Sequence, residues 1–227
     1  MRQSRLSARP FGLFDPDLRP RRAGLAPEAR TMLVELARDF ATPGSSLYQL
    51  GVGENDLLPT LHSTLEPTVD FVGTYASEEH LERCRNGLDA APCERRIDLI
   101  PADLNRGVAV RDASVVVMMS TSRSVHPFRR VPLIENVHRG LRPGGCALVV
   151  EHVRGRDSLL NNLFATYARE RQRAAPGGAP HDFRHSNDDL LVASSLNEEC
   201  ELLSLGGFRS VEVFYKWYGL CGLIAIK

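Results

Sequence analysis

Ser210-Val211-Glu212-Val213-Phe214-Tyr215-Lys216-Trp217-Tyr218-Gly219-Leu220-Cys221-Gly222-Leu223-Ile224-Ala225-Ile226 closes the chain with two strand-like runs separated only by Tyr218-Gly219. A parallel crossover needs about a dozen residues or more, so this two-residue link forces a hairpin. Working back from it, Cys146 to Val150, Ser114 to Met119, Ile97 to Pro101, Val69 to Thr74 and Ser46 to Leu50 read as five earlier strands. Ser114 to Met119 is apolar on both faces, as a buried parallel strand must be. Helical spacing fills the gaps. Leu133, Ile134, Val137 and Leu141 precede the stop Arg142-Pro143-Gly144-Gly145. Ser77 is a natural N-cap for a helix through Leu81 and Cys84 that stops near Asn86-Gly87. Leu57 to Leu65 follows the helix-start residues Asn55 and Asp56, and Leu33, Leu36, Ala37 and Phe40 mark a first helix ending near Thr42-Pro43-Gly44. Strands and helices in this rhythm imply right-handed βαβ units. The expectation is an α/β doubly wound, seven-stranded, mostly parallel sheet with a C-terminal antiparallel hairpin.

The chain has 227 residues, 43% hydrophobic and 25% charged, with a formal charge of zero. That size suits one domain, and the charge balance gives no bulk attraction to nucleic acid or anionic lipid. Five scattered cysteines, none in a metal-ligand spacing, read as reduced thiols and predict a cytoplasmic protein with no metal site. No run approaches the ~18 apolar residues of a membrane span, so no membrane partner is expected. The organisation expected is a partly ordered arginine-rich arm at 1–26 and one domain at 27–227. After the fifth strand, Leu160, Leu163, Phe164 and Tyr167, then the loop at 174–180, predict a helical cap at about 153–195. The capping box Ser195 to Glu198 starts the next helix, which runs to Gly206-Gly207-Phe208.

Gly51-Val52-Gly53 after the first strand, Arg142 to Gly145 before the fifth, Gly207-Phe208 before the hairpin and the closing Gly222 to Lys227 occur in an order that resembles the class I S-adenosylmethionine-dependent methyltransferases. Within them the chain resembles the carboxy-S-adenosylmethionine synthases, most clearly at Thr42-Pro43-Gly44, Glu82 to Arg85, Asp112 to Val117 and Gly140 to Gly145. Members of that family make a carboxymethyl donor from S-adenosylmethionine and prephenate for modification of tRNA wobble uridine. The resemblance implies S-adenosylmethionine or carboxy-S-adenosylmethionine as cofactor and a small molecule as substrate.

It also implies a site at the carboxyl ends of the strands, built from Gly51, Val52, Gly53, Tyr75, Ala76, Asp103, Leu104, Met119 and Arg184. Gly51 and Gly53 lack a Cβ and let backbone approach a ligand; Asn55 stands where the superfamily places a third glycine. Tyr75 aligns with the carboxylate that holds the ribose hydroxyls, Met119 with a polar amide, and Gln49 with an acid at the end of strand one. Asp103 aligns with the acid that meets the adenine amino group, against the plainer reading of a turn cap. Arg184 aligns with the arginine that grips the carboxylate of the modified donor, a task that suits a planar fork. Glu151 and His152 are the acid-base candidates at the end of strand five, against the plainer reading of a structural pair. Phe214, Tyr215, Trp217 and Tyr218 line either a homodimer face or a pocket wall. Arg129, Arg130, Arg169, Arg171 and Arg173 form either a solvated helix face or a basic rim for RNA. Two rivals to the enzyme therefore stay open: a catalytically inactive partner subunit or scaffold, and an RNA-binding module.

Overall fold

The computed structural model describes residues 27–52, 56–89, 95–174 and 194–227. The expected arm at 1–26 lies outside these residues, as does the 175–193 portion of the expected cap. In chain order the elements are α1 (Pro27–Phe40), β1 (Ser46–Val52), α2 (Leu58–Thr64), β2 (Asp70–Tyr75), α3 (Glu78–Asp89), β3 (Ile97–Pro101) and β4 (Ala113–Met119). They continue with α4 (Pro127–Gly140), β5 (Leu141–His152), α5 (Ser158–Ala174), α6 (Leu196–Leu205), β6 (Ser210–Trp217) and β7 (Leu220–Ile226).

Seven strands form one sheet in the order β3-β2-β1-β4-β5-β7-β6. The β1–β5 pairings are parallel, and β7 runs antiparallel to both β5 and β6. The hairpin forced by Tyr218-Gly219 therefore inserts its second arm against β5 and leaves its first arm at the edge. Alternation along the strands divides the core in two. Leu47, Phe71, Val115, Val117 and Leu148 face the layer of α1, α2 and α3, whereas Leu50, Val116, Met118, Ala147 and Val149 face α4 and α6. Burial of both faces is the reason β4 carries no polar alternation after Ser114.

Two of the boundaries that differ from the sequence expectation are set by neighbours in space. Helix α3 passes through Gly87 to Asp89 because that glycine lets α2 come close: a Cβ there would lie 2.8 Å from Cγ of Pro59. Helix α4 ends at Gly140, and Leu141 already pairs with Ala113 as the first residue of β5, so β5 begins five residues earlier than its apolar run.

At the amino edge of the sheet, Asp112 adopts a positive φ of 51° and receives two hydrogen bonds from Arg142, Nε to Oδ1 at 2.6 Å and Nη2 to Oδ2 at 2.7 Å. The same guanidinium donates to the Gly44 carbonyl at 2.6 Å and to Oγ1 of Thr42 at 3.3 Å. Arg142, the second residue of β5, thus clasps the turns before β1 and β4.

Candidate functional site: the carboxyl edge of β1 and β4

β1 lies between β2 and β4, the point at which strand order reverses and a doubly wound sheet opens a crevice at its carboxyl edge. Gly51 sits there with φ +74°, a backbone region that favours glycine. Its amide donates to Oγ1 of Thr74 at 2.9 Å. A Cβ on Gly51 would lie 3.4 Å from Oγ1 of Thr121 and 3.6 Å from Cδ1 of Leu104. Thr121 Oγ1 in turn donates to the Leu50 carbonyl at 3.0 Å. Side chains from the ends of β2 and β4 and from the turn after β3 therefore converge on this one turn.

Gln49, which departs from the superfamily's acid, is buried, and its Oε1 accepts the Leu57 amide at 3.0 Å. An amide oxygen serves as well as a carboxylate for accepting one N–H, so the departure preserves the link from β1 to the start of α2. Next to it, Asp56 Oδ1 accepts the Leu58 amide at 2.9 Å. Burial pushes the Asp56 carboxyl above the usual carboxylate range, against opposing hydrogen bonds from Cys84 and Leu58.

The other aligned residues divide by environment. Val52 pairs with Tyr75 beyond a shift of register that follows Gln49, while Ala76 is exposed just past the strand end. Tyr75 and Met119 are buried in the apolar core shared with Leu57, Leu58 and Leu81. Asp103 caps a short 3-10 turn, Leu104–Arg106: its Oδ1 accepts the Asn105 amide at 2.9 Å and Oδ2 lies 3.5 Å from Nε of Arg106. The geometry is that of the plainer reading, a turn cap, with the Asp103 side chain exposed. Asn105 Oδ1 accepts the His126 amide at 2.8 Å and so ties this turn to the start of α4.

At the end of β5, Glu151 is buried and its Oε1 accepts the Ser122 amide at 2.7 Å. His152 is half-buried and pairs with Leu220 of β7. Ser120, between β4 and the loop, has φ +53°, a strained choice for a residue with a Cβ at a crevice edge. Gly53 and Arg184 lie outside the described residues, as do the side chains of Arg169, Arg171 and Arg173. Arg129 is exposed, but Arg130 is a correction to the expected basic rim: it is buried, with Nε donating to the Val125 carbonyl at 3.1 Å and Nη1 to Oγ of Ser194 at 3.0 Å. Of the aromatics expected on the hairpin, Phe214 and Tyr215 pack against the apolar core, while Trp217 and Tyr218 gather at the turn, where Tyr218 meets Trp217, Phe164 and Tyr167 of α5 at ring separations of 4.9, 5.3 and 5.6 Å.

Thr74, Thr121 and Ser122 were not singled out from the sequence. Their signal was a hydroxyl residue at or just past the carboxyl end of an apolar strand. Among the described residues no group of three or more His, Cys, Asp or Glu side chains is placed to hold a metal ion, and no helix is long and apolar enough to cross a membrane.

No family model matches the chain. Solved structures share its fold over most of its length. A S-adenosylmethionine-dependent methyltransferase from Aquifex aeolicus superposes with a TM-score of 0.57 at 12% identity, covering 86% of this chain and 88% of that one. The S-adenosylmethionine-dependent methyltransferase SibL superposes with a TM-score of 0.60 at 18% identity, covering 88% of this chain and 55% of that one. The strand order, the antiparallel β7 and the glycine turn at β1 define the class I methyltransferase fold. The sequence comparison is more specific. A carboxy-S-adenosyl-L-methionine synthase from Methylococcus capsulatus is 34% identical over 219 residues, which is 95% of this chain and 90% of the relative. A second, from Actinobacillus succinogenes, is 28% identical over 200 residues, 87% of this chain and 83% of the relative. The chain belongs to the carboxy-S-adenosyl-L-methionine synthase family.

Proposed function

We propose that the protein binds S-adenosyl-L-methionine at the carboxyl edge of β1 and β4 and transfers a group at its sulfonium methyl, forming carboxy-S-adenosyl-L-methionine. The observation that carries this reading is the turn at Gly51, left-handed and stripped of a Cβ at the point where strand order reverses. In this reading Gly51, Val52 and Gly53 admit the methionine portion, and Tyr75 and Ala76 border the ribose. Asp103 receives the adenine amino group through its carboxylate while Leu104 covers the ring. Met119 floors the site from within the core, and Arg184 pairs with the carboxylate that distinguishes the product from its precursor. Glu151 holds the loop after β4, and His152 beside it is the acid-base candidate. The protein's contribution is chiefly positioning: a methyl carbon held against a carboxyl source in a water-poor crevice. The resemblance supplies prephenate as that source: the sulfonium methyl gives up a proton, prephenate releases its ring carboxyl as carbon dioxide and its hydroxyl as hydroxide to leave phenylpyruvate, the methyl carbon bonds the carbon dioxide, and proton and hydroxide leave as water. Modification of tRNA is the later use of the product.

A second reading, a partner subunit without turnover, is favoured by one observation: Tyr75 and Met119, at positions where relatives place polar ligands, are packed in the apolar core. Mass spectrometry of small molecules released from freshly purified, heat-denatured protein separates the two. Carboxy-S-adenosyl-L-methionine, or its formation when S-adenosyl-L-methionine and prephenate are supplied, is the expected result. Absence of both, together with no heat on titration of either donor, rejects the enzyme.

A further inference from the structure

Two hydroxyls outside the proposed ligand set hold the same peptide group. The Leu50 carbonyl and the Gly51 amide belong to one planar trans unit, so they point to opposite flanks of β1. The amide donates to Oγ1 of Thr74, at the end of β2, at 2.9 Å. The carbonyl accepts Oγ1 of Thr121, just past β4, at 3.0 Å, closer than the Met119 carbonyl at 3.4 Å. Both threonines are buried. The peptide they hold sits where regular pairing gives out on each flank. On one side the β1–β2 register shifts between Gln49 and Val52; on the other, Leu50 with Met118 is the last rung between β1 and β4. Side-chain hydroxyls there take over from the ladder, as buried backbone groups require partners.

A Cβ on Gly51 would meet Thr121 and Leu104 at 3.4 and 3.6 Å, ordinary contact distances, so space does not restrict this position. The backbone angle does: φ of +74° is the rotation by which the held peptide joins the next one. Glycine permits that angle and equally permits others, so it does not hold the turn by itself. We propose that Thr74 and Thr121 are positioning residues of the donor site, gripping the Leu50–Gly51 peptide from both flanks of β1 and so fixing the turn in the form that admits the donor. The inference rests on the crevice at Gly51 being that donor site. Neither hydroxyl is required to touch the ligand. The Gly51 amide is spent on Thr74, so what Gly51 offers a ligand is close approach of its backbone. A turn released from either threonine is shared among conformers, and affinity falls in proportion to the fraction that stays competent.

The test titrates S-adenosyl-L-methionine by calorimetry into the full chain and into its Thr74→Val and Thr121→Val variants, well below their melting temperatures. Valine keeps the outline of threonine and removes the hydroxyl. Each variant is expected to bind about tenfold more weakly, as when the competent fraction falls to about a tenth. Thr74→Ser and Thr121→Ser keep the hydroxyl and lose a methyl, and are expected to stay within about twofold of the unmodified protein. A threonine that merely stabilises the fold lowers the melting temperature and leaves affinity unchanged. Valine variants that bind like the unmodified protein therefore overturn the proposal, as do serine variants as weak as the valine ones. Amide hydrogen exchange of Gly51 supplies a readout without ligand. Thr121→Val is expected to speed it as Thr74→Val does, although Thr121 bonds the other end of the peptide, because one rigid plane carries both bonds. An effect confined to Thr74→Val overturns the grip. Should a valine variant not fold, exchange in the unmodified protein decides: a Gly51 amide protected like the strand interior supports the grip, and one that exchanges as freely as an exposed loop overturns it. If the unmodified protein binds no S-adenosyl-L-methionine, the donor-site reading fails and this inference with it, whereas binding that the valine variants retain in full rejects the threonines alone.

Discussion

Gln49→Leu tests whether the residue that departs from the superfamily's acid is a strut and not a lost ligand. Gln49 is 1% exposed and accepts the Leu57 amide at 3.0 Å, across the turn that begins at Gly51. Leucine fills nearly the same volume but leaves that buried N–H without its acceptor. Leaving a buried donor unsatisfied costs about 1–3 kcal/mol. For a chain of this size that lowers the melting temperature by roughly 2–12 °C. The same loss frees the start of α2 from β1, so affinity for S-adenosyl-L-methionine should fall as well. Gln49→Glu, which offers an acceptor at the same reach, should recover most of both losses. Thermal unfolding followed by circular dichroism, with calorimetric titration of the donor beside it, reads both quantities. A Gln49→Leu protein that melts within about 1 °C of its parent, about half the smallest shift expected per kcal/mol for a chain of this size, shows that this hydrogen bond holds nothing.

Asp103→Ala removes both the turn cap and the proposed adenine acceptor. Loss of a hydrogen bond to a charged group, about 1.5–3 kcal/mol, should weaken donor binding by roughly tenfold to a hundredfold in calorimetry, and unchanged binding would return Asp103 to a cap alone. Gly87→Ala sets two effects against each other. Helix propensity favours alanine by about 0.8–1.0 kcal/mol, whereas a Cβ 2.8 Å from the Pro59 ring should cost about 1–3 kcal/mol as overpacking. The melting temperature should therefore fall, and a rise would mean that α2 moves aside freely. Stability should also depend on pH from both sides. Asp56 and Glu199 are raised by burial, so the fold keeps protons that the unfolded chain releases, and stability declines as pH rises above the usual carboxylate range until the raised values are passed. Glu198, held down by its bonds to Ser195, and Asp112, held down by Arg142, act oppositely, and their contribution is lost as pH falls through their lowered values. Urea midpoints measured from about pH 3 to about pH 9 should pass through a maximum, and a steady rise to the alkaline end would contradict the raised pair.

The fold was legible because its deciding signals are local. A two-residue link between strand-like runs permits only a hairpin, and Ser114 to Met119 can lie only in a sheet covered on both faces. The end of α3 was misread because Gly87 acts through Pro59, a neighbour in space and 28 positions away in the chain. The site was legible at Gly51 for the same local reason, since the turn follows directly from a strand. What the turn requires from elsewhere was not legible. Thr74, Thr121 and Ser122 are ordinary hydroxyl residues until the sheet brings three strand ends together, and Arg130 looked like a surface cation until α4 buried it under Ser194. Glu199, buried on α6, sat in a capping segment whose signal, Ser195 with Glu198, explained that stretch fully by itself.

The clasp of Arg142 on Asp112, Gly44 and Thr42 stands at the amino edge of the sheet, across the sheet from Gly51. Those are among the segments that carry the family likeness most plainly, and what they secure is the assembly of three strand starts, whatever reaction takes place at the far rim. A descendant that abandoned turnover would still need them in order to fold. Kinship recognised through this clasp therefore measures inheritance of the frame, and activity has to be read from the opposite end of the same strands.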